Sequence, residues 1–84
     1  LLLNTNGYEN IAIGNNSLNS NTTGYENTST GHNAMYATTT GYSNAAYGHE
    51  ALYFLTTGDK NTGIGVGAGS IVTTGRNLTM IGYE

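Results

Sequence analysis

Residues 41–57 read G-Y-S-N-A-A-Y-G-H-E-A-L-Y-F-L-T-T, and the fold follows from the way this stretch recurs. The same frame opens at Gly7, Gly24, Gly41, Gly58 and Gly75, every seventeen residues. A second glycine follows each of these after seven residues, at Gly14, Gly31, Gly48, Gly65 and Gly82. Residues 1–6 and 75–84 are partial copies around complete copies at 7–23, 24–40, 41–57 and 58–74. The whole chain is therefore expected to be one repeat array, a slice of a longer one. A unit this short has no room for a helical hairpin, and its apolar positions do not recur at three or four. With two glycines per unit, each copy offers two short extended runs joined by turns. The expected fold is all-β, a parallel β-solenoid of 17-residue coils stacked roughly 4.8 Å apart.

Each column of the repeat carries its own expectation. Asn10, Asn27, Asn44 and Asn61 stand three residues after the first glycine. Stacked identical Asn side chains form hydrogen-bonded ladders, and Leu78 in the fifth copy ends or shifts this one. Before the second glycine come Ile13, Thr30, Tyr47, Ile64 and Ile81, which alternate with the mostly small Ala12, Ser29, Ala46, Gly63 and Met80. That period of two marks a strand. The bulky column (Ile13, Tyr47, Ile64, Ile81) is read as interior, with the small column available for close approach of another chain. A second strand is expected at Ser17, Ala34, Ala51 and Ala68, followed by the inward Leu18, Met35 and Leu52 and by Gly69, with Leu1 in the same column. Thr pairs close most copies, as at Thr56–Thr57.

Composition narrows the function classes. The 84 residues carry 8% charge, against about 25% on average, while Gly, Asn, Thr and Ser make up just over half of the chain. Regular aliphatics, seven tyrosines and no proline favour order over disorder. A net charge of −3, with Lys60 and Arg76 the only cations, excludes a nucleic-acid footprint. Leu1–Leu3 is too short for a membrane span. Cysteine is absent, so disulfides are excluded. Few sizeable apolar side chains per copy leave a lone coil marginal against the entropy of ordering it. Wrapping several chains together would bury more, and a homo-oligomer is expected.

The unit G-Y-x-N-x-A-x-G-x-x-A-L-Y-x-x-T-T resembles the N-T-A-I-G-Y-N-A-L-Y-N-N-T-T-G-type repeats of bacterial and phage tail-fibre-like proteins. It is similar too to the N-S-x-A-I-G repeats in the heads of trimeric autotransporter adhesins. Asn10–Gly14 and Asn61–Gly65 come closest to that core. The resemblance implies a left-handed parallel β-roll, three chains per fibre, with one strand of each coil lining the trimer interior. It implies an extracellular, cell-surface or virion location and a role in holding or forming a receptor-binding head. This sequence departs from the pattern at Thr30 and Tyr47, which replace an aliphatic, and at the extra glycines of Gly63–Gly69.

Candidate sites compete with plainer readings. Gly63–Gly69 lacks the spacing of a phosphate loop and is read as a tightly packed coil. His32 and His49 share a column that would form rings for a metal or anion in a threefold assembly, against the plainer reading of exposed, stacked turn histidines. Tyr8, Tyr25 and Tyr42 suit contact with a host-surface glycan or protein, and suit packing on the neighbouring coil better. Glu9 and Glu26 share a column without the asymmetric pocket that catalysis needs, so no enzyme and no cofactor is expected. An ice-binding face needs Thr at alternate positions, a spacing read only at Thr38–Thr40. The sequons at Asn15, Asn21, Asn27 and Asn77 reflect composition and are not read as glycosylation sites.

Overall fold

The computed structural model describes residues 4–83, so Leu1–Leu3 and Glu84, and with them the column assignment of Leu1, lie outside the described residues. Five three-residue strands are formed: β1 (Ile11–Ile13), β2 (Thr28–Thr30), β3 (Ala45–Tyr47), β4 (Thr62–Ile64) and β5 (Thr79–Ile81). They pair in parallel, in chain order, in one sheet. Each partner lies one repeat away, as in Ala12↔Ser29 and Ala46↔Gly63. The described residues contain no helix, and the chain is an all-β solenoid of 17-residue coils measuring 32 × 24 × 17 Å.

Backbone bonds between coils extend beyond the strands. On the Leu side, Leu18 N donates to Ala34 O at 3.0 Å, Met35 N to Ala51 O at 2.9 Å and Leu52 N to Ala68 O at 2.9 Å. On the Thr side, Thr22 N donates to Thr39 O at 3.0 Å and Thr56 N to Thr73 O at 2.8 Å. Much of each coil thus serves as template for the next, as the accounting of backbone polar groups demands.

The second expected strand is absent. Asn16, Asn33 and Glu50 have φ near +60°, as do Leu18, Met35 and Leu52 at φ 50 to 52°. Two left-handed residues with one between them make a turn, not an extended run. They bring both members of the pair inward: Ala34 and Met35 are fully buried, as are Ala51 and Leu52. A left-handed bulky residue costs about 1–2 kcal/mol, and burial of the Leu or Met side chain offsets it. Gly67 (φ 69°) and Gly69 (φ 65°) occupy these same two columns. The extra glycines of the fourth copy therefore remove strain that the other copies carry.

The strand faces are also reversed from expectation. Ile13 is 60% exposed and Ile81 is 74% exposed, and Tyr47 and Ile64 point outward with them. The small column faces inward: Ser29 and Ala46 are fully buried, and Ala12 and Met80 pack on the core. The cross-section has room for about one large side chain per coil. Leu18, Met35 and Leu52 take it, and Leu55 adds to it in the third coil. The inner strand residue must then be small. A Cβ on Gly63 would come within 2.9 Å of Leu52 Cγ and 3.1 Å of Ala68 O. The small column is filled by the chain's own core and is not open to another chain.

At the second-glycine turns the backbones stack directly. Gly48 has φ 131°, and a Cβ there would lie 2.6 Å from Gly65 O and 2.7 Å from Gly65 C. Only glycine meets both conditions.

Candidate functional site

The first-glycine turns carry the Asn ladder. Asn27 Nδ2 donates to Gly41 O at 2.9 Å, Asn44 Nδ2 to Gly58 O at 3.0 Å and Asn61 Nδ2 to Gly75 O at 2.8 Å. Each side-chain carbonyl accepts from the next coil: Asn44 N donates to Asn27 Oδ1 at 3.0 Å and Asn61 N to Asn44 Oδ1 at 2.9 Å. The side-chain ladder ends at Asn61, whose Oδ1 accepts from the backbone N of Leu78 at 3.0 Å. With Asn27, Asn44 and Asn61 buried, these groups shape the turn and present nothing to a ligand. Burial also closes the sequons at Asn21 and Asn27 to modification of the folded chain.

A second polar file was not read from the sequence. Asn4, Asn21, Thr38, Leu55 and Val72 share one column, changing from polar to apolar along the array. Asn21 Nδ2 donates to Asn4 Oδ1 at 2.7 Å, and Thr38 Oγ1 to Leu55 O at 2.8 Å. Thr38 is fully buried, so the Thr38–Thr40 pair forms no surface row. The alternate threonines that do share a strand face are Thr28 and Thr30. The spacing of two inside the strand was the available signal.

Tyr8, Tyr25 and Tyr42 stack along the array, with ring centroids 4.9 and 4.8 Å apart and planes within 5° of parallel. Their ring faces are turned toward one another, leaving edges and hydroxyls at the side. The file continues as an ion pair: Arg76 Nε donates to Asp59 Oδ1 at 2.9 Å. The bond and charge of Asp59 raise the Arg76 pKa further above its ordinary range, with a smaller contribution from Tyr42. Partial desolvation raises the Tyr8 phenol above its ordinary value, helped by Tyr25, Glu26 and Glu9. Tyr36 and Tyr53 form another stack at 5.2 Å, with Phe54 edge-on to Tyr53 at 4.7 Å.

His32 and His49 are exposed and stacked at 5.1 Å. No group of three or more His, Cys, Asp or Glu able to hold a metal occurs among the described residues. Glu26 accepts a bond from Ser43 Oγ at 3.2 Å on the turn edge.

The outer face of the sheet is uncovered. It presents Ile11 and Ile13, Thr28 and Thr30, Ala45 and Tyr47, Thr62 and Ile64, Thr79 and Ile81, two per strand in parallel rows. No Lys, Arg, Asp or Glu interrupts it. At the β5 end, Ala68, Val72, Met80, Ile81 and Tyr83 line an open hollow of about 280 Å³. No helix among the described residues is long and apolar enough to cross a membrane. No family model, curated protein or solved structure matches this chain.

Proposed function

We propose that this chain is a non-enzymatic structural segment of an extracellular or virion fibre, in which copies associate side by side and hold or form a receptor-binding head. The observation that supports this reading is the uncharged, β-branched outer face of the sheet, with four isoleucines and Tyr47 exposed along it. Contiguous apolar patches of this kind on soluble proteins mark interaction surfaces. A repetitive face favours an equally repetitive partner, and another copy of the same array supplies one. The strand faces of three chains meeting around an axis would bury what the strand alternation alone assigned to the coil interior. The left-handed trimeric β-roll suggested by the resemblance is the form this association takes.

Mass in solution tests the reading. The chain is expected to sediment as a trimer, and Ile13→Lys with Ile64→Lys, which leaves the coil core untouched, is expected to return it to a folded monomer. A wild-type chain that is monomeric and folded at high concentration overturns the association.

A second reading, an ice-binding solenoid, draws on the same face because Thr28 and Thr30 lie side by side on β2. Against it, Tyr47 stands out of the flat row and isoleucines outnumber threonines in the second row. A thermal hysteresis measurement separates the two. For glycan contact the tyrosine file offers hydroxyls and ring edges rather than ring faces, and a glycan array tests that alternative.

A further inference from the structure

Of the seven tyrosines, five stand in two files along the array. Tyr8, Tyr25 and Tyr42 are spaced 4.9 and 4.8 Å apart, and Tyr36 and Tyr53 are 5.2 Å apart. Every pair lies within 5° of parallel. The cause is the repeat itself: identical side chains at the same place in consecutive coils adopt the same rotamer and meet ring on ring. Tyr47 and Tyr83 lie in neither file, and neither stacks on another aromatic ring among the described residues. Tyr8 is 55% exposed and Tyr25, Tyr42, Tyr36 and Tyr53 are partly exposed, so small oxidants and their radicals reach the rings.

We propose that these two files are sites of intramolecular dityrosine formation, carbon–carbon staples between consecutive coils made by a one-electron oxidant of the peroxide-driven haem peroxidase class. Each of two stacked phenols loses one electron and its hydroxyl proton, giving two phenoxyl radicals with spin density on the ring carbons ortho to oxygen. The ortho carbons of the two rings form one C–C bond. The hydrogen on each of those carbons then leaves as the rings regain aromaticity, and both oxygens are reprotonated. Two C–H bonds are lost and one C–C bond gained, while one hydrogen peroxide takes up the two electrons and two protons to become two waters.

Coupling of free phenoxyl radicals waits on their encounter. Here the rings are held one coil spacing apart, so the two radicals are formed as neighbours and a local side-chain movement replaces the encounter, the advantage of a fixed neighbour. The product links residues seventeen apart in sequence, so it closes loops in the unfolded chain as a disulfide does. In a chain without cysteine it would supply a covalent tie that reducing conditions cannot open.

The test treats the dilute wild-type chain with a haem peroxidase and limiting hydrogen peroxide, then reads dityrosine fluorescence and maps cross-linked peptides. The expected products keep the mass of one chain less two hydrogens per staple, and join Tyr8 to Tyr25, Tyr25 to Tyr42, and Tyr36 to Tyr53. Tyr25→Phe, which preserves the stack, is expected to abolish both links of the first file and spare the Tyr36–Tyr53 link. Tyr47→Phe with Tyr83→Phe is expected to leave the yield unchanged. Unfolding in urea before oxidation is expected to lower intramolecular yield about tenfold, because the rings then lose their fixed approach. Links that map mainly to Tyr47 or Tyr83, a yield indifferent to urea, or no link in the folded chain would each overturn the proposal.

Discussion

The second and fourth coils fill the same cross-section by opposite means. In the second, the inward strand residue is Ser29, fully buried, and Met35 supplies the bulk. Ser29 Oγ donates to Ala34 O at 2.9 Å, and the single hydroxyl hydrogen of Ser17 has two acceptors in reach, Ser29 Oγ at 2.7 Å and Ser29 O at 3.0 Å. In the fourth, both positions are glycine, Gly63 and Gly69. The missing volume comes from the neighbours above and below. A Cβ on Gly69 would lie 2.8 Å from Met80 Sδ and 2.9 Å from Leu52 Cδ2. Core volume is therefore pooled between adjacent coils, and a glycine in one copy is matched by a longer side chain in the next. Polar filling is tolerated where every hydroxyl finds a carbonyl, as buried polar groups require.

Five substitutions would break or sharpen this comparison. Leu52→Ala should have the largest effect, because Leu52 is fully buried and reaches into the fourth coil as well as its own. A loss of about 3–5 kcal/mol in urea denaturation is expected, and a loss below about 1 kcal/mol would contradict pooled packing. Gly69→Leu restores the side chain found in the first and third coils, with a backbone already at a φ those leucines adopt. Met80 occupies the space, so a destabilisation of about 1–3 kcal/mol is expected. Adding Met80→Ala should recover most of it, and a double-mutant cycle without coupling would refute the exchange of volume.

Ser29→Ala should cost less, about 0.5–1.5 kcal/mol. Ala34 O keeps the bond from Leu18 N, and Ser17 Oγ keeps Ser29 O. A larger loss would show that the polar layer is a coupled network rather than a set of satisfied bonds. The smallest effect is expected from Tyr8→Phe and only in alkali. The folded chain holds the Tyr8 phenol above its ordinary 10.0, so the neutral phenol contributes stability that is complete below about pH 10. That contribution is lost as pH rises through the folded pKa. Denaturation midpoints at pH 8 and pH 11 should fall further for wild type than for Tyr8→Phe, while equal falls would remove the phenol from the balance.

Much of this architecture was legible because a repeat repeats its chemistry. The Asn column could be read as a ladder, since the same amide at one place in every coil meets its copy above and below. Legibility failed at Ile13 and Leu18 for two different reasons. Alternation shows that Ile13 and Ala12 face opposite ways, but is silent on which way is in. The left-handed φ of Leu18 is unusual for a bulky residue, so an extended run was the natural reading of Ser17–Leu18. Gly67 and Gly69 held the available signal, since glycine at those two places in one copy points to positive φ in the others. The column of Tyr8, Tyr25 and Tyr42 was visible, yet the direction of the ring faces depends on side-chain geometry.

What the sequence determined by itself is the period, the glycine turns, the ladder positions and the parallel stacking of coils, because a seventeen-residue period sets each residue beside its copy in the adjacent coils. The tertiary structure alone decided the inside of the coil. Curvature at Gly14, Asn16 and Leu18 and at their equivalents closes the chain on the small face of the strand. The closed section then holds one large side chain per coil, and the isoleucines are left outside. That choice turns a presumed core into the surface on which the proposed assembly rests.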